Sequence, residues 1–294
     1  MKQRFPNLLA STWNPLAALA HRHLRWQGVD VEIEAPGGLP TISDEALRSH
    51  LGAPPSPTLE RADELEALLL PPPSQESPAQ RRQRSTCRNF DPSRALSLDQ
   101  FAQILHTVYG AQGHSIISGV PVLKKNSPSA GGLHPVEAYL LVQHVEGVEP
   151  GLYHYRPDTH VLEPLKALTA IEAREHARVF VAHQPWFVDA HVQVILAARF
   201  QRNFWKYRNH AKAYRAVILD AGHLSQMQYM VATELGLGAF ITAAINEGDI
   251  EDAFGLDPMQ EGVLAVTGFG YRGERMDVLE FDPLQKVWPE WQPE

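Results

Sequence analysis

Cysteine is nearly missing from this chain: Cys87 is the only one in 294 residues. A single thiol excludes an internal disulfide framework and any all-cysteine zinc site, and it fits a reducing compartment. A surplus of basic charge is missing too. Lysine and arginine number 26 against 34 acidic residues, a net charge of −8. No broad basic face is therefore available for nucleic acid or an anionic membrane. No stretch approaches the ~18 consecutive apolar residues of a membrane helix. The opening MKQRFPNLLASTWNPLAALAHRH has no continuous apolar run before a small-residue cleavage site, so no secretory signal is read there. What remains is a globular protein expected in the cytoplasm. Its 44% hydrophobic and 20% charged residues can build a large core.

Proline marks the one break in composition. Pro54, Pro55, Pro57, Pro71, Pro72, Pro73 and Pro78 remove backbone donors and resist helix, so this stretch reads as connector. Residues 1–75 then form a small appended unit with its linker, and residues 76–294 the main domain. The small unit offers Leu8, Leu9, Leu16, Leu19 and Trp26 as core. Val29, Val31 and Ile33 alternate as in a strand, and residues 58–70 have helical spacing.

The main domain alternates helix and strand signals. Ser97-Leu-Asp-Gln100 is a capping box, followed at helical spacing by Phe101, Ile104, Leu105 and Val108, with Gly110 to stop the helix. Strands are expected over 136–145, 192–198 and 263–268. A hairpin turns at Pro157-Asp158-Thr159, and a long helix covers 214–235 before Gly236. Arg275 to Phe281 reads as extended. The class is α+β or α/β.

Four stretches carry candidate chemistry. Arg84-Ser-Thr-Cys-Arg-Asn-Phe90 holds two arginines that share a face if the turn is helical. Guanidinium forks and hydroxyls suit a phosphate, although a solvated basic surface explains the stretch equally when it is taken alone. Ser127-Pro-Ser-Ala-Gly-Gly-Leu-His-Pro135 has small residues that let a flat ligand approach backbone closely. Lys206-Tyr207 could move protons, or be a charged loop with an aromatic anchor. Gly268-Phe-Gly-Tyr-Arg-Gly273 matches the dinucleotide fingerprint in letters only. Too little chain follows for the required helix and second strand. The fourteen histidines form no HExxH or Cys/His ligand set, so no metal is expected. No G-x-S-x-G elbow or P-loop occurs.

In this order, the segments resemble the nitroreductase-like flavoproteins, and among them the SagB-type dehydrogenases. That group includes the azoline oxidases of thiazole- and oxazole-bearing peptides. The resemblance runs from about Arg81 to Phe281. It is carried by Arg84 to Phe90, Pro128 to Glu137, Gly151-Leu-Tyr-His-Tyr155, Lys206-Tyr207, Asp220-Ala-Gly-His223, Gly236-Leu-Gly238 and Phe254-Gly-Leu256. It implies an α+β nitroreductase-like fold, a mixed or antiparallel sheet flanked by helices, with FMN held at a homodimer interface. Position by position, Arg84 and Thr86 hold the phosphate and Arg88 faces the pyrimidine edge. Ser129 and the Gly131-Gly132 backbone come from the partner subunit. Backbone at Ala243-Ala244 lies by flavin N5, and Arg272 adds phosphate charge. Two positions depart from the wider family: Gly132 stands where many members have Asn, and Ala243-Ala244 where many have Glu-Gly.

The implied function is an FMN-dependent dehydrogenase of ribosomal-peptide maturation that oxidises azolines to azoles. Lys206 or Tyr207 takes the acidic α-proton, in a cavity lined by Phe204 and Trp205, while hydride goes to the flavin. A precursor peptide, and a cyclodehydratase, are the implied partners. Residues 1–75, with Trp13 and Trp26 exposed, are expected to recruit peptide or partner or to brace a dimer. Two alternatives stand beside this: an NAD(P)H-dependent nitro, quinone or enoyl reductase of the same fold, and a non-catalytic scaffold subunit.

Overall fold

The computed structural model describes residues 13–31, 49, 83–117, 120–207 and 210–290. β1 (Gly113–Ile117) and β2 (Val120–Lys124) form a two-stranded hairpin. The main sheet has six strands: β3 (Val136–Val142), β4 (Gly151–Arg156), β5 (Val161–Ala167), β6 (Val192–Arg199), β7 (Gly238–Thr242) and β8 (Glu261–Gly270). Their spatial order is β5-β4-β3-β6-β8-β7, and every pairing is antiparallel. Helices α1 (Pro15–His23), α2 (Leu98–Ile104), α3 (Ala170–Phe180), α4 (Phe200–Phe204), α5 (Ala211–Glu234) and α6 (Glu247–Phe254) surround it. The expected α+β class and antiparallel sheet are therefore present.

β3 and β6 read as unbroken aliphatic runs because both of their faces are covered. Val136, Ala138, Leu140 and Val142 of β3 pack with Val192, Val194, Leu196 and Ala198 of β6 on the side of α5. Tyr139, Leu141, Ile195 and Ala197 point the other way, under α3 and Phe240. Helix α5 spans 24 residues, about 36 Å. Its buried Gln228 donates to the Thr267 hydroxyl (2.7 Å) and the Gly268 carbonyl (3.1 Å). Gln228 also accepts from Tyr109 at 2.6 Å. Helix and sheet are thus joined by a polar spine inside an apolar core. No helix of the described residues is long and apolar enough to cross a membrane.

Several local expectations are corrected. Ser97 caps α2, its oxygen accepting from Gln100 N, but the Gln100 side chain bonds Leu235 O and Tyr271 instead of closing the box. The helix continues as a wide π-turn over 105–109 before Gly110. The rejection of the dinucleotide fingerprint holds: Gly268 and Gly270 lie inside β8, with no helix after them among the described residues. A side chain there would strike Phe240 and His191 respectively. Arg275 to Phe281 is a bent segment, not a strand.

Residues 13–31 pack directly on the main domain. Trp13 is buried, not exposed, among Phe200, Phe204 and Tyr214, and its indole N–H donates to Met259 O at 3.0 Å. Leu16 and Leu19 are exposed, while Ala18 and His21 take the inward face of α1. Residues 26–29 dock on α6: the Trp26 amide donates to Glu247 and the Val29 amide to Asn246. Val29 is not in a strand. The expectations for Leu8, Leu9, Ile33, the 58–70 helix and the proline linker lie outside the described residues.

His21 gives the fold a pH dependence. Burial pushes its imidazole down to about 4, from about 6.5 in an unfolded chain. The native state therefore holds it neutral. As pH falls from 6.5 toward 4, only the unfolded chain binds the proton, and stability drops by up to about 1.4 kcal/mol per pH unit. The urea midpoint is expected to fall through this window. His21→Gln, which cannot titrate, should remove one proton's share of that slope.

Candidate active site

Residues 84–88 run extended, not helical. Thr86 forms a parallel bridge with Ala239 of β7, and the Cys87 amide donates to Ala239 O at 2.8 Å. Extended backbone alternates its side chains. Ser85 and Cys87 therefore point inward and are buried, while Arg84, Thr86 and Arg88 share the outer face. The two arginines do meet on one side, through a period of two instead of a helical turn. Between them stands Tyr229 of α5. Its hydroxyl lies 3.0 Å from Thr86 Oγ1, and the Arg84 guanidinium carbon is 5.3 Å from its ring centre. Burial raises the Tyr229 pKa, opposed by the Thr86 hydrogen bond and by the charges of Arg84 and Arg88. Among the described residues neither Arg84 nor Arg88 is paired with a carboxylate.

Arg272 differs. Its guanidinium pairs with buried Glu280 and donates to Ser85 Oγ at 2.9 Å. Glu280 also accepts from the Arg88 amide (2.5 Å), the Asn89 side chain (2.9 Å) and the Trp288 indole (2.8 Å). Burial works against its charge, but Arg272 and these donors hold it below the usual carboxylate range. Glu280 thus fixes the arginine strand from behind and neutralises Arg272.

A second group forms around the loop from Ser127 to His134. Gly131 and Gly132 both have φ +67°, the left-handed region that glycine enters without strain. A Cβ on Gly131 would come within 2.8 Å of both Lys206 Nζ and Tyr207 OH. The expected pair therefore converges on the expected loop within one chain. Asp220 of α5 holds that loop from below: it accepts from Ser129 Oγ at 2.5 Å and the Ala130 amide at 3.2 Å. Ser129 Oγ in turn accepts from the His134 amide at 2.9 Å. Burial raises the Asp220 pKa, against these two donors. Phe204 does not line a cavity with Lys206. It sits in the core with Trp13, while Trp205 is exposed. Beside Gly131 opens a cavity of about 500 Å³, bounded by Val122, Leu133, Arg202, Trp205 and Glu261.

Ala243 and Ala244 follow the end of β7. The Ala244 amide donates to Thr242 Oγ1 at 3.1 Å and its carbonyl accepts from Gln184 at 2.8 Å, while Ala243 is exposed. The arginine group and the loop group attach to α5 at Tyr229 and Asp220. Nine residues separate them, about 14 Å along the helix and half a turn around it. One chain therefore presents the two groups on opposite flanks of a single helix. Sequence reading missed Tyr229 and Glu280 outright, and took Asp220 only as part of a family pattern.

Fold and site together place the chain in a class: it belongs to the nitroreductase family, whose signature matches residues 82–271. Among its relatives, MJ1384 of Methanocaldococcus jannaschii is 29% identical over 160 residues, covering 54% of this chain and 75% of that one. The trifolitoxin-processing protein TfxB of Rhizobium leguminosarum bv. trifolii is 31% identical over 149 residues, 49% of this chain and 38% of TfxB. The microcin B17-processing protein McbC of Escherichia coli is 22% identical over 244 residues, covering 80% and 86%. A chain of the E. coli microcin synthetase McbBCD complex with truncated pro-MccB17 shares the fold at TM-score 0.68 and 19% identity. That match covers 93% of this chain and all of the other.

Removing the Asp220 carboxylate strands the Ser129 hydroxyl and the Ala130 amide. Asp220→Ala should cost about 1–3 kcal/mol in urea unfolding. Faster amide exchange at Ala130 should accompany the loss.

Proposed function

We propose that this chain is an FMN-dependent oxidoreductase of ribosomal-peptide maturation, oxidising azoline rings of a precursor peptide to azoles. The observation that carries the reading is the convergence of Lys206 Nζ and Tyr207 OH over Gly131, a residue that also lines a substrate-sized cavity. The peptide-processing names of TfxB and McbC support the choice of substrate class. A cyclodehydratase, which makes the azoline, is the partner this reading implies, and a cytoplasmic setting goes with it.

The residues present fit the flavin. Arg84 and Arg88 lack carboxylate partners among the described residues and share a face with the hydroxyls of Thr86 and Tyr229, a donor set suited to phosphate and a polar ring edge. Arg272, already neutralised by Glu280, would act by positioning Ser85. Gly131 and Gly132 supply exposed backbone, whereas the Ser129 hydroxyl is engaged in holding the loop. Ala243 offers exposed backbone after β7. When bound, FMN supplies a two-electron acceptor. The azoline α-carbon lies beside a carbonyl and a C=N group, so its proton is acidic. Lys206 or Tyr207 accepts that proton, and the loop below them keeps both groups in place.

The two groups are half-sites, completed by a second copy. The outer face of α5 exposes Ile218 and Leu219, with Gly222 beside them. Glycine inside a helix costs about 1 kcal/mol relative to alanine, and a Cβ at Gly222 would meet nothing within 4 Å among the described residues of its own chain. Twofold packing about Gly222 would set residue 229 of one helix opposite residue 215 of the other. The arginines of each copy would then approach the Lys206-Tyr207 segment of its twin.

With an azoline peptide as substrate, Lys206→Ala and Tyr207→Phe should each slow azole formation by about 10²- to 10⁴-fold while the yellow flavin absorbance persists. Unchanged azole formation would overturn the assignment, and rapid flavin bleaching by NADPH would move it to a reductase. Leu219→Glu should shift the sedimentation mass from dimer to monomer and release FMN.

A further inference from the structure

Resting on that reading, we propose that the cavity beside Gly131 is a carboxylate subsite for the substrate, with Arg202 as the group that reads the charge. The peptide residue flanking the reacting ring would carry that carboxylate, either as a chain terminus or as an acidic side chain.

The charge balance of the cavity floor supports this. Arg199 Nε lies 2.6 Å from Glu137, whose other oxygen faces His154 at 3.6 Å. Glu261, on the rim, accepts from the Tyr139 hydroxyl at 2.9 Å, and burial raises its pKa. Lys125 is buried as well, and burial lowers its pKa against the attraction of Glu137. His134 is pushed down to about 4 by burial and by the neighbouring Lys125 and Arg202, so it stays neutral. Arg199 is thus paired with Glu137, whereas Arg202 has no carboxylate within ion-pair distance among the described residues. The uncompensated charge falls on Arg202. Its Nε donates to the Leu133 carbonyl, and its terminal nitrogens meet no acceptor among the described residues.

The walls favour an anion of limited size. Val122, Leu133 and Trp205 lower the local dielectric and strengthen a charge-assisted hydrogen bond. Trp205 is 65% exposed, a large apolar surface that a bound ligand would cover. About 500 Å³ lies within the roughly 300–1,000 Å³ of small-ligand sites. It admits a few residues of an extended peptide, not a folded partner. Gly131 lines the cavity and also underlies Lys206 and Tyr207, so the carboxylate would sit next to the ring being oxidised.

The test uses the flavin-loaded full chain and peptides that cannot turn over. Calorimetry would compare three short thiazole peptides: a free acid at the flanking residue, its amide, and an amide with aspartate in the flanking position. One of the two carboxylates should bind about 10- to 100-fold tighter than the amide. Preference for the free acid identifies a terminus, and preference for the aspartate a side chain. Arg202→Met should bring the ratio close to one, with partial recovery in Arg202→Lys. Equal binding of all three peptides by the wild-type chain overturns the subsite without needing any variant to fold. Loss of FMN in Arg202→Met with the ratio retained also overturns it, because the arginine then serves the cofactor. Acid preference with no azoline oxidation would leave the subsite standing and sink the reaction.

Discussion

A buried carboxylate without a cation must be held by neutral donors, and the site is arranged around one such group. Asp220 takes the Ser129 hydroxyl and the Ala130 amide, and this pins a loop whose two glycines have positive φ. Lys206 and Tyr207 rest on the bare Cα of Gly131, so their mutual position depends on that pinning. Because the helix that supplies Asp220 also supplies Gln228 and Tyr229, loop, sheet and arginine strand are indexed to one rigid rod. A shift at any of the three is transmitted to the others by covalent geometry.

The arginines illustrate how charge is divided between structure and use. Arg272 looks from its position like another anion ligand, yet Glu280 has taken its charge. Glu280 then spends its remaining acceptor capacity on the backbone and side chains of residues 88–89 and on Trp288. The effect is a stiff strand presenting Arg84 and Arg88 outward without a counter-ion among the described residues. Preorganised positive charge of this kind stays available to a ligand because no internal ion pair has to break first.

Much of the sheet was legible from residue pattern. Aliphatic runs marked β3, β6 and β8, Pro157-Asp158-Thr159 marked the β4–β5 turn, and Gly236 marked the end of α5. The arginine segment was misread because i and i+4 coincide on one face in both a helix and a strand. The β1–β2 hairpin was not anticipated at all; its exposed Ile116 and Ile117 lack the alternation that identifies a half-buried strand. Asp220 and Gln228 did leave a signal. They fall in step with Val217, Leu224 and Val231 on the buried stripe of α5, where a polar residue has to have a partner. Glu280 left none, since its burial depends on a bend in irregular chain.

The family signature begins at residue 82, but the folding unit does not. Trp13 fills the space between α4 and Tyr214, and His21 bridges the Tyr214 hydroxyl at 3.0 Å and the Pro258 carbonyl at 2.9 Å. A fragment trimmed to residues 82–271 would open a hydrophobic hole directly under the segment that leads to Lys206. Loss of function in such a fragment would report a missing wedge, and would say nothing about recruitment by the deleted residues.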